Sequence, residues 1–246
     1  MAARSPSRTR DAPRWLPALA AWPPYASLPP ELGAALAQAA AVREFKRGQA
    51  VWREGEPATH FYLILRGLVK IVHPTAGGGE PIVGIFGQGD SIGDSAVVQR
   101  STYPADALAS SHAATLLQLE SAPLLRALEA IPATGQAMQR VLLGHTRELR
   151  EKINITSAGS VPQRLAALLL YLARRFGSAP PAGPWTMPLA ISRAELAALA
   201  GTTVETTIRT LSRWHRQGLV LPAGRAGLTF PLPQKLEAIV SGESPP

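Results

Sequence analysis

The sequence predicts an α+β protein in which an antiparallel β-roll is followed by a long helix and a C-terminal winged helix-turn-helix unit. Three observations predict this class. Short alternating apolar runs separated by glycines lie between Phe45 and Leu119, helical periodicity begins after Pro132, and two capped helices precede a hairpin near the C-terminus. A chain of 246 residues with 46% hydrophobic content is long enough for two modest cores.

We expect four segments along the chain. They are a loosely ordered N-terminal arm over residues 1–27, a β-roll sensor domain over 28–132, a long dimerisation helix over 133–158 and a winged helix-turn-helix domain over 159–246. The arm has arginines before a short apolar run, as a targeting peptide does, but prolines interrupt and close that run. Because no window approaches the roughly 18 apolar residues of a spanning helix, we expect a cytoplasmic protein with no membrane partner.

The amino-acid composition limits the classes of function that are possible for this chain. The formal net charge is +8, which attracts polyanions such as nucleic acid, and from Ser160 onward nine Arg or Lys face four Glu. Cysteine is absent, so disulfides, thiolate zinc sites, iron-sulfur clusters and cysteine nucleophiles are excluded. The C-terminal segment is therefore the expected polyanion-binding domain.

The β-roll prediction depends on the runs HFYLILRGLVKIV and EPIVGIF and on the glycines around them. Short strands punctuated in this way favour an antiparallel roll, barrel or sandwich. Gly67 is predicted at the corner between strands Tyr62–Leu65 and Leu68–Val72, and the triple glycine 77–79 at a hairpin tip.

The long helix has an apolar stripe whose members are spaced four, three, four and four residues apart: Met138, Leu142, His145, Leu149 and Ile153. Such a stripe can pack on the chain's own sensor domain or on the same helix of a second subunit. Heptad-like spacing favours the second arrangement, a homodimer, with His145 as a packed seam residue.

Two short helices with a glycine between them follow. Ser192 and Glu195 form a capping box, and Gly201 ends the first helix, whose apolar face consists of Leu196, Leu199 and Ala200. Thr202 and Glu205 are predicted to start the second helix in the same way. This arrangement is typical of a helix-turn-helix, whose second helix lies in the DNA major groove.

The second helix has two different faces at 100° per residue. One is polar and contains Glu205, Ile208, Arg209 and Ser212, with Arg213 and Arg216 at its border, and the other is apolar and contains Thr207, Leu211 and Trp214. Arg209 suits guanine O6 and N7, and Glu205 suits cytosine N4, although the two could equally form an i, i+4 ion pair. The hydroxyls of the threonine-rich stretch GTTVETT suit phosphate oxygens.

The segment GLVLPAGRAGLTFP indicates strand, turn and strand, with Gly224 and Gly227 on either side of Arg225. A hairpin directly after a recognition helix is a wing. Arg225 is then placed to contact the flanking phosphate backbone.

In this order of segments the sequence resembles the CRP/FNR family of bacterial transcription regulators from about Leu28 to Ile239. The matching motifs are HFYLILRGLVKIV, GQGDSIGDSAVV, SVPQRLAALLLYLA and SRAELAALAGTTVETTIRTLSRWHRQGLV. The resemblance implies a cyclic-nucleotide-binding-like jelly roll, dimerisation through the long helix, RNA polymerase as a protein partner, and ligand control of the DNA-binding domains.

The resemblance also assigns DNA contacts residue by residue. Glu205 and Arg209 fall on base-reading positions, and the likeness to the FNR branch implies a TTGAT-like half-site. Ile208 stands where that branch has Ser, which leaves one position of the half-site open, with a thymine methyl as the expected contact of Ile208. The positions expected to contact the DNA backbone are Ser192, Arg193, Thr202, Thr203, Thr206, Arg213 and Arg225.

The expected effector pocket departs from the nucleotide-binding pattern of the family. Cyclic-nucleotide binders have a Gly-Glu pair for the ribose and an Arg-Ser pair for the phosphate, whereas this chain has Gly93-Asp94 followed by Ser95, and later Tyr103-Pro104-Ala105. Without an arginine a buried cyclic phosphate loses its bidentate partner, so cyclic AMP is not the expected effector.

Three alternatives remain for the sensor: a haem-based gas sensor, another small ligand, or no ligand. The imidazoles available for haem are those of His60, His73, His112 and His145. An enzyme is not expected, because the chain lacks an H-x-H pair, a G-x-S-x-G motif and a P-loop. For the function of the whole protein, two alternatives to this regulator stay open: a cyclic-nucleotide-responsive regulator, and a cyclic-nucleotide-binding module that acts on a protein partner.

Overall fold

The computed structural model describes residues 13–74, 81–187, 191–223 and 227–243. Its N-terminal part consists of helices α1 (Leu16–Ala21), α2 (Pro23–Ala26) and α3 (Pro30–Gln38). Leu19 and Leu36 are fully buried, and the Trp22 ring lies 5.0 Å from the Phe61 ring. The expectation of a loosely ordered arm is therefore wrong for residues 16–26, because their apolar side chains complete a core against the roll; residues 1–12 lie outside the described residues.

The N-terminal domain is an antiparallel β-roll, as predicted. Its elements are β1 (Ala41–Lys46), β2 (Ala50–Trp52), β3 (His60–Arg66), β4 (Val69–Val72), β5 (Ile82–Phe86), β6 (Ser91–Ile92), α4 (Asp94–Val98), β7 (Asp106–Ala109), β8 (Ala113–Glu120) and α5 (Ser121–Ala130). One sheet has the strand order β1-β8-β3-β6 and the other β2-β7-β4-β5, and α5 packs against the first sheet through Leu124.

Gly67 forms the predicted corner between β3 and β4. Its φ is 87°, and a Cβ there would lie 2.5 Å from the Ala113 carbonyl oxygen, so only glycine fits without displacing β8. The predicted hairpin tip at 77–79 lies outside the described residues.

A long helix connects the roll to the C-terminal domain, and a second long helix begins that domain. Helix α6 (Pro132–Thr156) begins at the predicted proline and runs for 25 residues. Helix α7 (Val161–Phe176) begins with a capping box between Ser160 and Gln163 and ends at Gly177.

The C-terminal domain is a winged helix-turn-helix. It contains β9 (Trp185–Met187), α8 (Arg193–Leu199), α9 (Val204–Arg216), β10 (Leu221–Ala223), β11 (Gly227–Phe230) and α10 (Pro233–Ser241). The strands form one sheet in the order β10-β11-β9, so residues 185–187 supply a third strand to the wing sheet.

The prediction that Thr202 caps the second helix is wrong. Gly201 has a φ of 61° and ends α8 as expected, but Thr202 belongs to the turn, and its backbone N–H donates to the Ala197 carbonyl oxygen. Thr203 is the N-cap of α9, because its side chain accepts from the backbone N–H of Thr206. Glu205 therefore lies in the first turn of α9 without closing a capping box.

One apolar cluster joins the roll to the C-terminal domain. Leu68, Val72 and Ile82 of the roll pack with Leu165 and Leu169 of α7, and the same cluster continues to the core of the helix-turn-helix. The two domains therefore share buried surface over one face of the roll. None of the helices in the described ranges combines the length and apolar character needed to cross a membrane.

Candidate nucleic-acid interface and effector cavity

Helix α9 presents its polar face to solvent and its apolar face to the domain core. Leu211 and Trp214 are 4% and 2% exposed, which confirms the predicted anchoring side, whereas Glu205 and Arg209 are exposed and Ile208 retains 48% exposure. Buried side chains on one side of α9 therefore anchor it to the domain core, and the opposite side, which we call the contact face and which contains Glu205, Ile208 and Arg209, is open to solvent.

The threonines of this segment hold the start of the helix in place. Thr203 caps it, and the Thr207 hydroxyl, which is fully buried, donates to the Thr203 carbonyl oxygen over 3.0 Å. Capping by a threonine contributes about 1 kcal/mol to helix stability. Thr203 remains exposed at this end of the helix.

Exposed arginines surround the contact face. Arg193 of α8 lines a groove of about 300 Å³ together with Ile208 and Arg216 of α9. Glu205 and Arg209 are not ion-paired with each other in this part of the described structure, so the simple i, i+4 pair does not form. Both side chains are available to a ligand that approaches the helix.

Arg164 fixes the turn from behind, a role that the sequence did not indicate. Its guanidinium donates to the carbonyl oxygens of Ala200 and Gly201 over 2.8 and 3.2 Å, and also to that of Gly159 over 2.7 Å. A cation at the C-terminus of a helix satisfies otherwise unpaired carbonyls and complements the helix dipole. Helix α7 thus holds the turn in register with the start of α9.

Two of the residues predicted to contact the DNA backbone, Ser192 and Arg225, differ from the other residues of this set. Ser192 is half-buried, and its hydroxyl is already hydrogen-bonded to the Glu195 carboxylate over 2.7 Å within the predicted capping box. Arg225 lies outside the described residues, between Ala223 and Gly227, which pair where the two wing strands approach each other.

A cavity of about 290 Å³ lies between the roll, α6 and the DNA-binding domain. The predicted effector-pocket residues all line it: Gly93, Asp94, Ser95, Tyr103 and Pro104. Its volume is near the lower end for small-molecule sites. Sequence reasoning did not foresee that α7 and α8 also form its walls, through residues that include Leu168, Tyr171 and Leu199.

The region that corresponds to a nucleotide-phosphate cradle is filled by aromatic rings. Tyr103 stacks on Trp52 with ring centroids 4.3 Å apart, and its hydroxyl donates to the His60 carbonyl oxygen over 2.6 Å. Burial raises the pKa of the Tyr103 hydroxyl well above its ordinary value, so this group stays neutral. Gly93 beside the stack has a φ of 80°, a conformation that favours glycine, and a Cβ there would also lie 3.2 Å from the Tyr103 ring.

Asp94 is fully buried and already hydrogen-bonded within the protein. Its carboxylate accepts from the Ser91 hydroxyl over 2.5 Å and from the Ser95 backbone N–H over 2.8 Å, and the His145 Nδ1 lies 3.7 Å away. Each oxygen of the Asp94 carboxylate thus already accepts one hydrogen bond from the protein.

Of the four haem-ligand candidates, only His145 lines the cavity. His60 bonds through Nδ1 to the Thr59 hydroxyl, His73 lies 3.7 Å from Glu54, and His112 is exposed. A haem held between two of these imidazoles does not fit this arrangement. Among the described residues, no three His, Asp or Glu side chains cluster closely enough to hold a metal ion.

The predicted stripe on α6 divides between two environments. Met138 is buried against the roll, and His145 packs edge-on to the Phe86 ring at 5.8 Å in the cavity, so these two are not seam residues. Leu149 and Ile153 are 49% and 63% exposed, and Leu142 is half-buried. The prediction that all five face a partner is wrong for Met138 and His145, because at 100° per residue they turn toward the chain's own roll.

Glu195 of α8 forms a contact between domains that sequence reasoning missed. Its carboxylate accepts from Arg47 and from the Ser110 hydroxyl, each over 2.8 Å, and Lys70 lies 3.8 Å away, while it also caps its own helix through Ser192. Burial by itself raises the pKa of this carboxyl, but the Ser192 and Ser110 hydrogen bonds and the Arg47 charge outweigh it and lower the pKa. Only the capping-box pattern was visible in the sequence.

Comparisons with known proteins agree with this architecture. Residues 42–130 match the cyclic nucleotide-binding domain, and residues 163–239 match the Crp-like helix-turn-helix domain. The nitrogen fixation regulation protein FixK of Bradyrhizobium diazoefficiens is 27% identical over 197 residues, which cover 80% of this chain and 81% of FixK.

A CRP-like cAMP-activated global transcriptional regulator of Mycobacterium tuberculosis is 27% identical over 83% of this chain and 90% of its own length. The structure of FixK2 from Bradyrhizobium japonicum superposes with a TM-score of 0.71 at 22% identity, covering 80% of this chain and 96% of that one. With both domain matches in the expected order, the chain belongs to the CRP/FNR family, whose members are DNA-binding transcription regulators rather than enzymes.

Proposed function

We propose that this regulator acts as a homodimer that binds an inverted DNA repeat, with α9 of each protomer in a major groove and half-sites about one helical turn apart. The observation that carries the proposal is the two-sided character of α9. Leu211 and Trp214 are buried, whereas Glu205, Ile208 and Arg209 project together from the opposite side.

Each exposed side chain on that face has a suitable base partner. The Arg209 guanidinium can donate two hydrogen bonds to guanine O6 and N7, the Glu205 carboxylate can accept from cytosine N4, and Ile208 can cover a thymine methyl. These preferences are compatible with a TTGAT-like half-site. Because Glu205 and Arg209 are not already paired with each other in the described structure, they need not break an ion pair before binding DNA.

Phosphate contacts would surround these base contacts. Arg193 at the start of α8 and Arg213 on α9 are exposed near the contact face, and their charge supplies affinity without sequence preference. The other backbone-contact residues that we propose are Ser192, Thr202, Thr203, Thr206 and Arg225. The Ser192 hydroxyl and backbone N–H both donate to the Glu195 carboxylate, so a phosphate contact at Ser192 requires one of these hydrogen bonds to be exchanged.

The proposed dimer seam runs along the outer side of α6. Leu142, Thr146, Leu149 and Ile153 are spaced four, three and four residues apart, which is the heptad spacing of a two-helix seam. Leu149 and Ile153 expose about half or more of their surface, and a second copy of α6 would cover them. The cavity beside the inner face of α6 is the proposed effector site.

The test of base recognition is the variant Arg209→Ala. The preferred DNA is first selected from genomic fragments, and the affinity of each variant is then measured on that DNA and on random DNA. Loss of a bidentate contact should weaken selective binding by about 1–3 kcal/mol and relax the preference at one guanine. Equal affinity of parent and variant for both DNAs would refute the assigned contact.

Arg193→Ala is the matched control for a phosphate contact. It removes the same functional group from α8 and should weaken binding to selected and random DNA about equally, with a shallower dependence on salt. A loss confined to the selected DNA would overturn the assignment of Arg193 to the backbone.

A further inference from the structure

The cavity beside α6 has walls that are mainly apolar. Val83 and Phe86 come from the roll, Ile155 from α6 and Leu172 from α7. Leu149 of α6 also lines the cavity but is 49% exposed, so it lies at the border between the cavity and the proposed seam. Walls of this kind bind a ligand by removing its carbon surface from water, at roughly 25 cal/mol per Å². A ligand that is polar over most of its surface would lose hydration without compensation here.

The acidic groups that line the cavity already have protein partners. The Asp94 carboxylate accepts from Ser91 and Ser95, and the Glu148 carboxylate accepts from the Tyr171 hydroxyl and the Arg175 guanidinium. A cationic ligand would have to displace these contacts. Neither carboxylate therefore offers an open site for an ammonium group.

The basic groups are equally unsuited to an anion. The Lys152 ammonium donates to the Ile82 carbonyl oxygen, and burial lowers its pKa, while His145 faces Asp94. Among the described residues no arginine lines the cavity, and the two carboxylates outnumber the one lysine. A phosphate would lie beside like charges without a bidentate donor.

We propose that the effector of this regulator is an uncharged, largely apolar small molecule, which binds between the roll and the DNA-binding domain in contact with both. This inference rests on the proposed function, in which the cavity is the effector site. It extends that function by naming the ligand class and by assigning part of the site to α7 and α8. The polar edge at His145 accommodates one hydrogen-bonding group of the ligand.

The contribution of the DNA-binding domain follows from the wall residues. Leu168, Tyr171 and Leu172 of α7 and Leu199 of α8 line the cavity, and three of these leucines also belong to the cluster that contains Trp214. A ligand that occupies the cavity therefore contacts side chains of the same core that anchors α9. The side chains that would contact the ligand are therefore among those that pack the DNA-binding domain against the roll.

The test uses the full chain and prodan, an uncharged naphthalene ketone whose emission shifts to the blue in apolar surroundings. Anilinonaphthalene sulfonate is the anionic probe of similar ring size, and cyclic AMP is titrated by calorimetry. The parent chain should bind prodan saturably, and should bind both anions more weakly. Tighter binding of the sulfonate or of cyclic AMP at this site would overturn the ligand class.

The variant Val83→Phe places a ring in the cavity and should weaken prodan binding about tenfold or more, because the side chain takes the space of the probe. Val42→Phe is the control, since Val42 is 45% exposed on β1 and does not line the cavity. Ser95→Phe, at a half-buried wall position on α4, is a second variant if the first fails to fold. Prodan binding that survives in a folded variant of either kind would refute the site.

Leu199→Ala tests the wall supplied by the DNA-binding domain. It should weaken prodan binding several-fold, whereas Leu232→Ala, at a 43% exposed position, should not. Equal prodan affinity in the parent and in Leu199→Ala would refute the composite site.

Selective DNA retention is measured on the same samples. If the parent chain retains no preferred DNA, the proposed function fails whatever prodan does. If it retains DNA but the prodan results contradict the expectations, only the ligand inference fails.

Discussion

The contact between Glu195 and the roll predicts a measurable coupling between the two domains. Arg47 lies in the turn between β1 and β2 and donates to Glu195 over 2.8 Å. A hydrogen bond between charged groups contributes about 1.5–3 kcal/mol when well formed. Because the Arg47 side chain is 43% exposed, solvent screening places this bond below that range, at about 1 kcal/mol.

We expect Arg47→Ala to lower the free energy of unfolding by about 1 kcal/mol. Glu195→Gln should lower it more, by about 2–3 kcal/mol, because it removes the charge that Arg47 and Lys70 both face. In the double variant the Arg47 effect should largely disappear. The coupling energy of this cycle is therefore expected to be about 1 kcal/mol.

The assay is urea denaturation followed by circular dichroism and by tryptophan fluorescence, with coincident transitions as the test of two-state unfolding. Arg43→Ala is the control, because Arg43 is an exposed arginine of β1 that donates to the neutral Gln118 side chain. It should change stability by less than about 0.5 kcal/mol. Additive effects of Arg47→Ala and Glu195→Gln, within about 0.3 kcal/mol, would refute the contact.

Two further predictions concern the dimer and the response to acid. Ile153→Glu should leave the fold intact but convert the dimer to a monomer in sedimentation experiments. The control is Asn154→Glu, at a neighbouring exposed position, which should leave the dimer unchanged. A parent chain that is already monomeric would contradict the proposed seam. The folded-state pKa of Glu195 is lowered below its ordinary value of 4.5, so its stabilisation is complete above that pH and is lost as the pH falls through the folded pKa. The acid-induced fall in Tm should therefore be smaller in Glu195→Gln than in the parent, and equal falls would contradict the assignment.

Local signals in the sequence predicted much of the fold. The capping box at Ser192, the glycine corner at Gly67 and the two faces of α9 each depend on residues close together in the chain, so periodicity and turn chemistry suffice to find them. The Thr203 cap was missed by one residue, because Thr202 and Thr203 are both suitable caps and only the path of the turn decides between them.

Contacts between distant segments could not be predicted in this way. The sequence shows that α6 has an apolar stripe, but not that Met138 and His145 face the roll while Ile153 faces outward. At 100° per residue the stripe is about 80° wide, so its two edges face different surfaces. In the same way, nothing near Arg47 in the chain indicates that its partner is Glu195, 148 residues away.

The shared core has a consequence for how a ligand would control DNA binding. Leu172 and Leu199 line the cavity and belong to the cluster that contains Trp214, the buried anchor of α9. Protein cores are densely packed, so a molecule that moves these side chains also shifts the balance between arrangements of the two domains. By thermodynamic linkage, any factor by which ligand changes DNA affinity must equal the factor by which DNA changes ligand affinity. If selected DNA leaves the prodan affinity unchanged, saturating prodan must equally leave the DNA affinity unchanged, and that result would show that the probe occupies a site that does not link the two domains.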